Sequence, residues 1–203
     1  MTAARRRRPD VRREELLDAT LTVVLRDGLA AARVGDVAAV LGVSSGLVFY
    51  HFGTKDALVA EAFAYAVERD LAELTVAVDE GADEPVERLR RVLELYGPTG
   101  AASGWRLWID AWALAQHEPA IREALRRLDR RWTEALREVV DDGVAGGSFA
   151  CADPSATVAR VSALLDGLSV AVLVYRTVTS EQLHRWVAEA MASELGLDTD
   201  ALQ

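Results

Sequence analysis

The run Val34 to Lys55, VGDVAAVLGVSSGLVFYHFGTK, restricts the fold more than any other stretch of the chain. Val34, Val37, Ala38 and Leu41 stand at i, i+3, i+4 and i+7, which lines one face of a helix. Gly42 breaks that pattern where a helix must end and the chain reverse. Val43 supplies an apolar plug for the turn, and Ser44 is a good N-cap for a second, short helix. Val48 and Phe52 make that helix's inward stripe, leaving Ser45, Gly46, Leu47, Tyr50 and His51 on its other face. Two short helices across a glycine-containing turn form a helix-turn-helix, whose second helix suits the DNA major groove. The plain alternative is a small helical hairpin packed into a core.

The same run resembles the signature of tetracycline-repressor (TetR) family transcriptional regulators. The resemblance rests on Gly42, Val43, Ser44, Gly46, Phe49, Tyr50, Phe52, Lys55 and Leu58, with Asp36-Val37-Ala38 upstream, and covers about the first 60 residues. Arg33 stands where that family usually carries a capping threonine, and Gly35 where it often carries a polar or basic residue. The resemblance implies a DNA reader in which Ser45, Gly46, Leu47 and Tyr50 face base edges. It further implies that Ser44, His51, Thr54 and Lys55 hold the phosphates, and Arg33, at the start of the first helix of the pair, is a further DNA-binding candidate.

Net charge, −9 over 203 residues, looks wrong for a DNA-binding chain until its distribution is considered. Residues 1–60 carry a net +2 and residues 61–203 a net −11, so a basic end is attached to an acidic body. Arg5 to Arg8 form a like-charge block, either a solvated tail or an arm for phosphates or a minor groove. Lys55 is the only lysine. No apolar run reaches the ~20 residues of a membrane span, and the amino terminus lacks a signal peptide's apolar core. Cys151 is the single cysteine, so neither an internal disulfide nor a cysteine-rich zinc site can form. A cytoplasmic location is expected, with no membrane partner.

Periodicity and punctuation give an all-α chain of about nine helices. Asp10 caps a first helix to about Asp27, which buttresses the helix-turn-helix, and Thr54 caps a long fourth helix to about Val78. Pro85 to Tyr96 is amphipathic, Gly97 to Gly104 reads as a loop, and Trp105 to Gln116 as a short, nearly all-apolar helix. Pro119 opens a helix to about Val144, and Asp153-Pro154 one to about Arg176, too short and interrupted for a membrane span. Ser180 is expected to cap the last helix, to about Leu195. The division expected is residues 1–55 for DNA binding and 56–203 for ligand binding and dimerisation. Within the second part, WRLWIDAWALAQHEP and the later LLDGL resemble the subgroup that includes choline-responsive regulators.

Enzyme motifs are missing. His51, His117 and His184 show no metal-ligand spacing, and there is no nucleophile elbow or phosphate-binding loop. No cofactor or metal is implied. Trp105, Trp108 and Trp112 fall on one helical face, as core packing or as the wall of a cavity for an apolar or cationic ligand. The cavity is expected among Tyr96, Trp105–His117, Trp132 and Asp166, with the Gly97–Gly104 loop as gate. Asp110 or Asp166 would supply countercharge, although Asp110 lies roughly opposite the tryptophans, on the side of Leu114 and His117. The reading is a homodimeric, ligand-responsive regulator, most simply a repressor released from a palindromic double-stranded operator by a small lipophilic molecule. Its rivals are a non-catalytic helical partner-binding protein and, more remotely, an enzyme with an unrecognised site.

Overall fold

The computed structural model describes residues 13–79, 84–96 and 103–202. Among these the chain is helical without strands: α1 (Arg13–Asp27), α2 (Val34–Leu41), α3 (Ser45–Phe52), α4 (Lys55–Asp79), α5 (Pro85–Tyr96), α6 (Ser103–Leu114), α7 (Pro119–Ala145), α8 (Pro154–Val170) and α9 (Ser180–Glu194). The Asp10 cap, the Arg5–Arg8 arm and most of the Gly97–Gly104 loop lie outside the described residues.

Each boundary has a local cause. Gly28 (φ 87°) ends α1 and Gly42 (φ 66°) ends α2, both in the left-handed region that favours glycine. Asp153 caps α8 by accepting the Ala156 N–H at 3.0 Å, ahead of Pro154 at the first helical position. The last helix corrects the sequence reading: its cap is Thr179, not Ser180. Thr179 Oγ1 accepts the Gln182 N–H at 3.1 Å while Gln182 Oε1 accepts the Thr179 N–H at 2.9 Å, a complete capping box. α6 also starts earlier than expected, at Ser103.

A single continuous apolar core runs from Leu16 to Leu202. α4 is its spine: the helix packs most extensively on α7 and next on α1. α5 leans on α4 and α7, and α8 and α9 pair against each other at the far end. There the Arg160 guanidinium is paired with Glu194, whose carboxylate also accepts the Thr157 hydroxyl at 2.9 Å.

α8 continues through a π-helical turn, Ala171–Tyr175, that ends on Arg176 in a left-handed conformation. Pro154 to Tyr175 is therefore an unbroken rod of 22 residues, with a mean hydropathy of 1.7 over its most apolar 18-residue window, against the expectation of a segment too short to span a membrane. Its length and composition would suffice for a span. It nevertheless packs on α7 and α9, with Val158, Val161 and Leu165 buried. Leu164, Val174 and Tyr175 stay exposed, as does Trp186 of α9 in the same helix pair.

Candidate nucleic-acid interface and effector region

α2 and α3 meet at 112° across a three-residue break. The turn closes when the Val43 N–H reaches the Ala38 carbonyl at 3.0 Å, beyond the left-handed Gly42. Val34, Val37 and Ala38 of α2 and Val48 and Phe52 of α3 go into the core, as the spacing required. α3 is then fixed at both ends. At its start Ser44 Oγ accepts the Leu47 N–H at 3.3 Å. At its end Arg13 of α1 donates to the His51 carbonyl at 2.7 Å, pairs with Glu61 of α4, and lies 4.3 Å over the Phe52 ring. Sequence reasoning missed Arg13, whose partners lie 38 to 48 residues away.

The outward side of α3 is open. Ser45 and Gly46 are exposed, Leu47 is half-buried, Phe49 is 46% exposed and Tyr50 is 84% exposed. The His51 ring, half-buried, meets the Tyr50 ring edge-on at 5.5 Å. Arg33 sits exposed at the start of α2 and makes no side-chain cap bond. Thr54 caps α4 by accepting the Ala57 N–H at 3.0 Å. Lys55 has an internal partner, donating to the Ala30 carbonyl at 2.8 Å and so tying α4 to the α1–α2 connection. An ammonium carries three N–H donors, so this bond leaves two for an outside acceptor.

α6 brings the three tryptophans together as its periodicity required. Trp105 and Trp112 meet edge-on at 6.2 Å, Trp108 and Trp112 stand 6.4 Å apart, and Trp108 meets Phe63 of α4 edge-on at 5.4 Å. All three are partly buried against the core. Asp110 does not join them. Its Oδ2 accepts the Leu29 N–H at 3.1 Å, just past the end of α1, so the carboxylate links α6 to the helix-turn-helix unit. His117 is exposed in the turn after α6. That end of the helix is held by Arg122 of α7, which donates to the Ala115 and Gln116 carbonyls at 2.8 and 3.0 Å.

Trp132 of α7 is buried in the core. Asp166 is half-buried on α8, its carboxyl pushed up to about 6 by burial and by the like charge of Asp129 on α7. The Tyr96 side chain lies outside the described residues. A small recess, open to solvent, occurs elsewhere, between Arg90 and Leu93 of α5, Leu165 of α8 and His184 of α9. Among the described residues no group of three or more His, Cys, Asp or Glu side chains is placed to hold a metal ion.

Known proteins carry the same organisation. The family model for "Bacterial regulatory proteins, tetR family" matches residues 16–62, and that for "BetI-type transcriptional repressor, C-terminal" matches residues 85–196. The HTH-type transcriptional regulator BetI of Paraburkholderia phytofirmans is 32% identical over 166 residues, covering 78% of this chain and 80% of that protein. BetI of Stenotrophomonas maltophilia is 33% identical, over 60% of this chain and 63% of its own length. Among solved structures, a protein described as a TetR-family regulator from Rhodococcus sp. superposes with a TM-score of 0.77 at 28% identity, covering 90% of this chain and 97% of that one. A regulator from Saccharomonospora viridis, solved in complex with choline, gives 0.77 at 28% identity, over 86% and 92%. A helix-turn-helix matched at one end and a regulatory domain matched over more than half of the chain leave one assignment: the chain belongs to the TetR family of transcriptional regulators.

Proposed function

We propose that the protein is a non-catalytic, ligand-responsive repressor that works as a homodimer on a palindromic operator. The observation that carries this is the outer face of α3, open to solvent on a helix fixed at both ends. In this reading residues 1–55 are the DNA-reading unit and 56–203 the regulatory and dimerisation unit, and the protein acts in the cytoplasm. Ser45, Gly46, Leu47 and Tyr50 face the major groove, and Arg33, Ser44, His51, Thr54 and Lys55 serve the phosphates. One such helix reads only a few base pairs, so two copies related by a two-fold axis are needed. The exposed apolar side chains of the α8–α9 pair, Leu164, Val174, Tyr175 and Trp186, supply the surface for a four-helix interface.

The test is a gel-shift titration on a duplex selected by the protein from a random pool, with sedimentation of the free protein. Lys55→Ala should weaken all sequences alike and flatten the salt dependence. Val174→Asp, on the exposed apolar side of the α8 rod, should give folded monomers with poor operator affinity. A wild-type protein that sediments as a monomer, or a salt slope unmoved by Lys55→Ala, contradicts the corresponding role.

The effector is a small molecule with an apolar body and a cationic head, held beside the tryptophans of α6. The aromatic cluster supports this, since Trp faces attract quaternary ammonium groups, as does choline in the Saccharomonospora viridis regulator. A ten-fold loss of operator affinity needs only about 1.4 kcal/mol of preference for the non-binding arrangement. Choline and its neutral isostere 3,3-dimethylbutan-1-ol separate charge from shape. Choline should perturb tryptophan fluorescence and lower operator affinity, whereas equal effects of the neutral alcohol would exclude a cation site.

A further inference from the structure

We propose that α3 reads DNA through thymine methyl groups, with Phe49 and Leu47 as the specificity-determining contacts. The inference rests on α3 being the reading helix and concerns the chemistry it can use. Between Ser45 and Phe52 there is no Arg, Lys, Asn, Gln, Asp or Glu. Those side chains make the two-pronged or accepting contacts that distinguish guanine, adenine and cytosine in the major groove. Here the side-chain polar groups are only the Ser45 hydroxyl, the Tyr50 hydroxyl and the His51 ring.

Apolar area is what the helix offers instead. Phe49 is 46% exposed although the buried stripe of Val48 and Phe52 runs beside it, and Leu47 remains half-buried on the opposite flank. Gly46 lies between them on the helical wheel. The fold does not require a glycine there: its φ is not positive, and an added Cβ would meet only Ser44 Oγ, at an ordinary 3.7 Å. Alanine would serve a helix at least as well there, so a glycine on this exposed face leaves room for something outside the chain. The result is a shallow seat with apolar flanks and few hydrogen-bonding groups. The C5 methyl of thymine is the apolar feature that unmodified base edges present in the major groove.

The experiment uses the full chain and a duplex it has selected from a random pool, with each thymine replaced in turn by deoxyuridine, which removes only the methyl. One or two positions per half-site should each lose about four-fold in affinity. That factor corresponds to ~0.8 kcal/mol for one buried CH₂-sized group at 1.4 kcal/mol per decade. Phe49→Ala or Leu47→Ala should abolish the difference between thymine and deoxyuridine, with melting curves checking that each variant folds. Selected half-sites without thymine overturn the proposal. So does affinity unchanged by every deoxyuridine while Tyr50→Ala still abolishes binding, a result that leaves α3 as the reader. If Tyr50→Ala and Gly46→Glu both bind as the wild type does, α3 is not the reading helix and the inference falls with that assignment.

Discussion

Removing the Asp110 carboxylate tests how the regulatory and DNA-reading parts are joined. Asp110 accepts the backbone N–H of Leu29, a fully buried residue, across 81 positions of sequence. Asp110→Ala leaves that N–H without its acceptor, which costs about 1–3 kcal/mol. Asp110→Asn keeps an acceptor oxygen and should cost under about 1 kcal/mol. Gly28 gives an independent handle on the same contact. Its φ is 87°, and a Cβ there would stand 3.0 Å from Asp110 Oδ2. Gly28→Ala should therefore cost about 1–2 kcal/mol from backbone strain alone and more from displacing the carboxylate. In the double variant the second part vanishes, so the two losses should fall short of additivity by about 0.5–1 kcal/mol. Urea unfolding followed by tryptophan fluorescence and circular dichroism supplies the four free energies. An Asp110→Ala variant within about 0.3 kcal/mol of wild type, or strict additivity with Gly28→Ala, refutes the reasoning. Because α6 carries both Asp110 and the tryptophans, the same variant should keep its fluorescence response to an effector while operator affinity responds less.

Three further expectations concern stability. The Asp166 carboxyl is raised in the folded state, so the unfolded chain releases its proton first and stability falls as pH rises from about 4 to about 6. Asp166→Asn should match wild type below pH 4 and exceed it by about 1–2 kcal/mol at pH 7.5, the full shift being discounted for solvent screening; a melting-temperature difference that does not change with pH would contradict this. Gly143→Ala places a Cβ 2.1 Å from the ring of the buried Phe149, so despite the better helix propensity of alanine it should lose about 1–3 kcal/mol; an unchanged or higher melting temperature disproves the clash. Thr179→Ala dissolves the capping box of α9 and should cost about 1 kcal/mol, whereas Ser180→Ala should cost little; equal losses in thermal unfolding would return the cap to doubt.

What the sequence made legible was what depends on local period and punctuation. The apolar spacing of α2, the Gly42 stop and the Ser44 cap located the helix-turn-helix to the residue, and the i, i+3, i+7 tryptophans did meet. The Thr179 cap was within reach, since Thr-x-x-Gln is the capping-box pattern, but the adjacent Ser180 competed for the same role. Partners remote in sequence were not legible. A helical wheel placed Asp110 away from the tryptophans, yet nothing local pointed to Leu29. Nor did anything show that Lys55 would hold Ala30 or that Arg13 would hold the end of α3. The π-helical turn after α8 also lacked a local mark: its Ala-Val-Leu-Val-Tyr reads as ordinary apolar helix.

The long fourth helix has a mechanical consequence. At ~1.5 Å per residue its 25 residues make a lever of about 37 Å. Its first two turns are bound to the reading unit through Lys55 and the Arg13–Glu61 pair. Along its length it also bears on α7, where Glu68 pairs with Arg127. A tilt of about 5° at the distal end moves the proximal end by about 3 Å, close to one base-pair rise of ~3.4 Å. In the proposed homodimer, two such levers swinging symmetrically would change the separation of their reading helices by about twice that. The α6 tryptophans meet this lever at Phe63, near its reading end, so a small tilt there reaches α3 while α3 keeps its own shape.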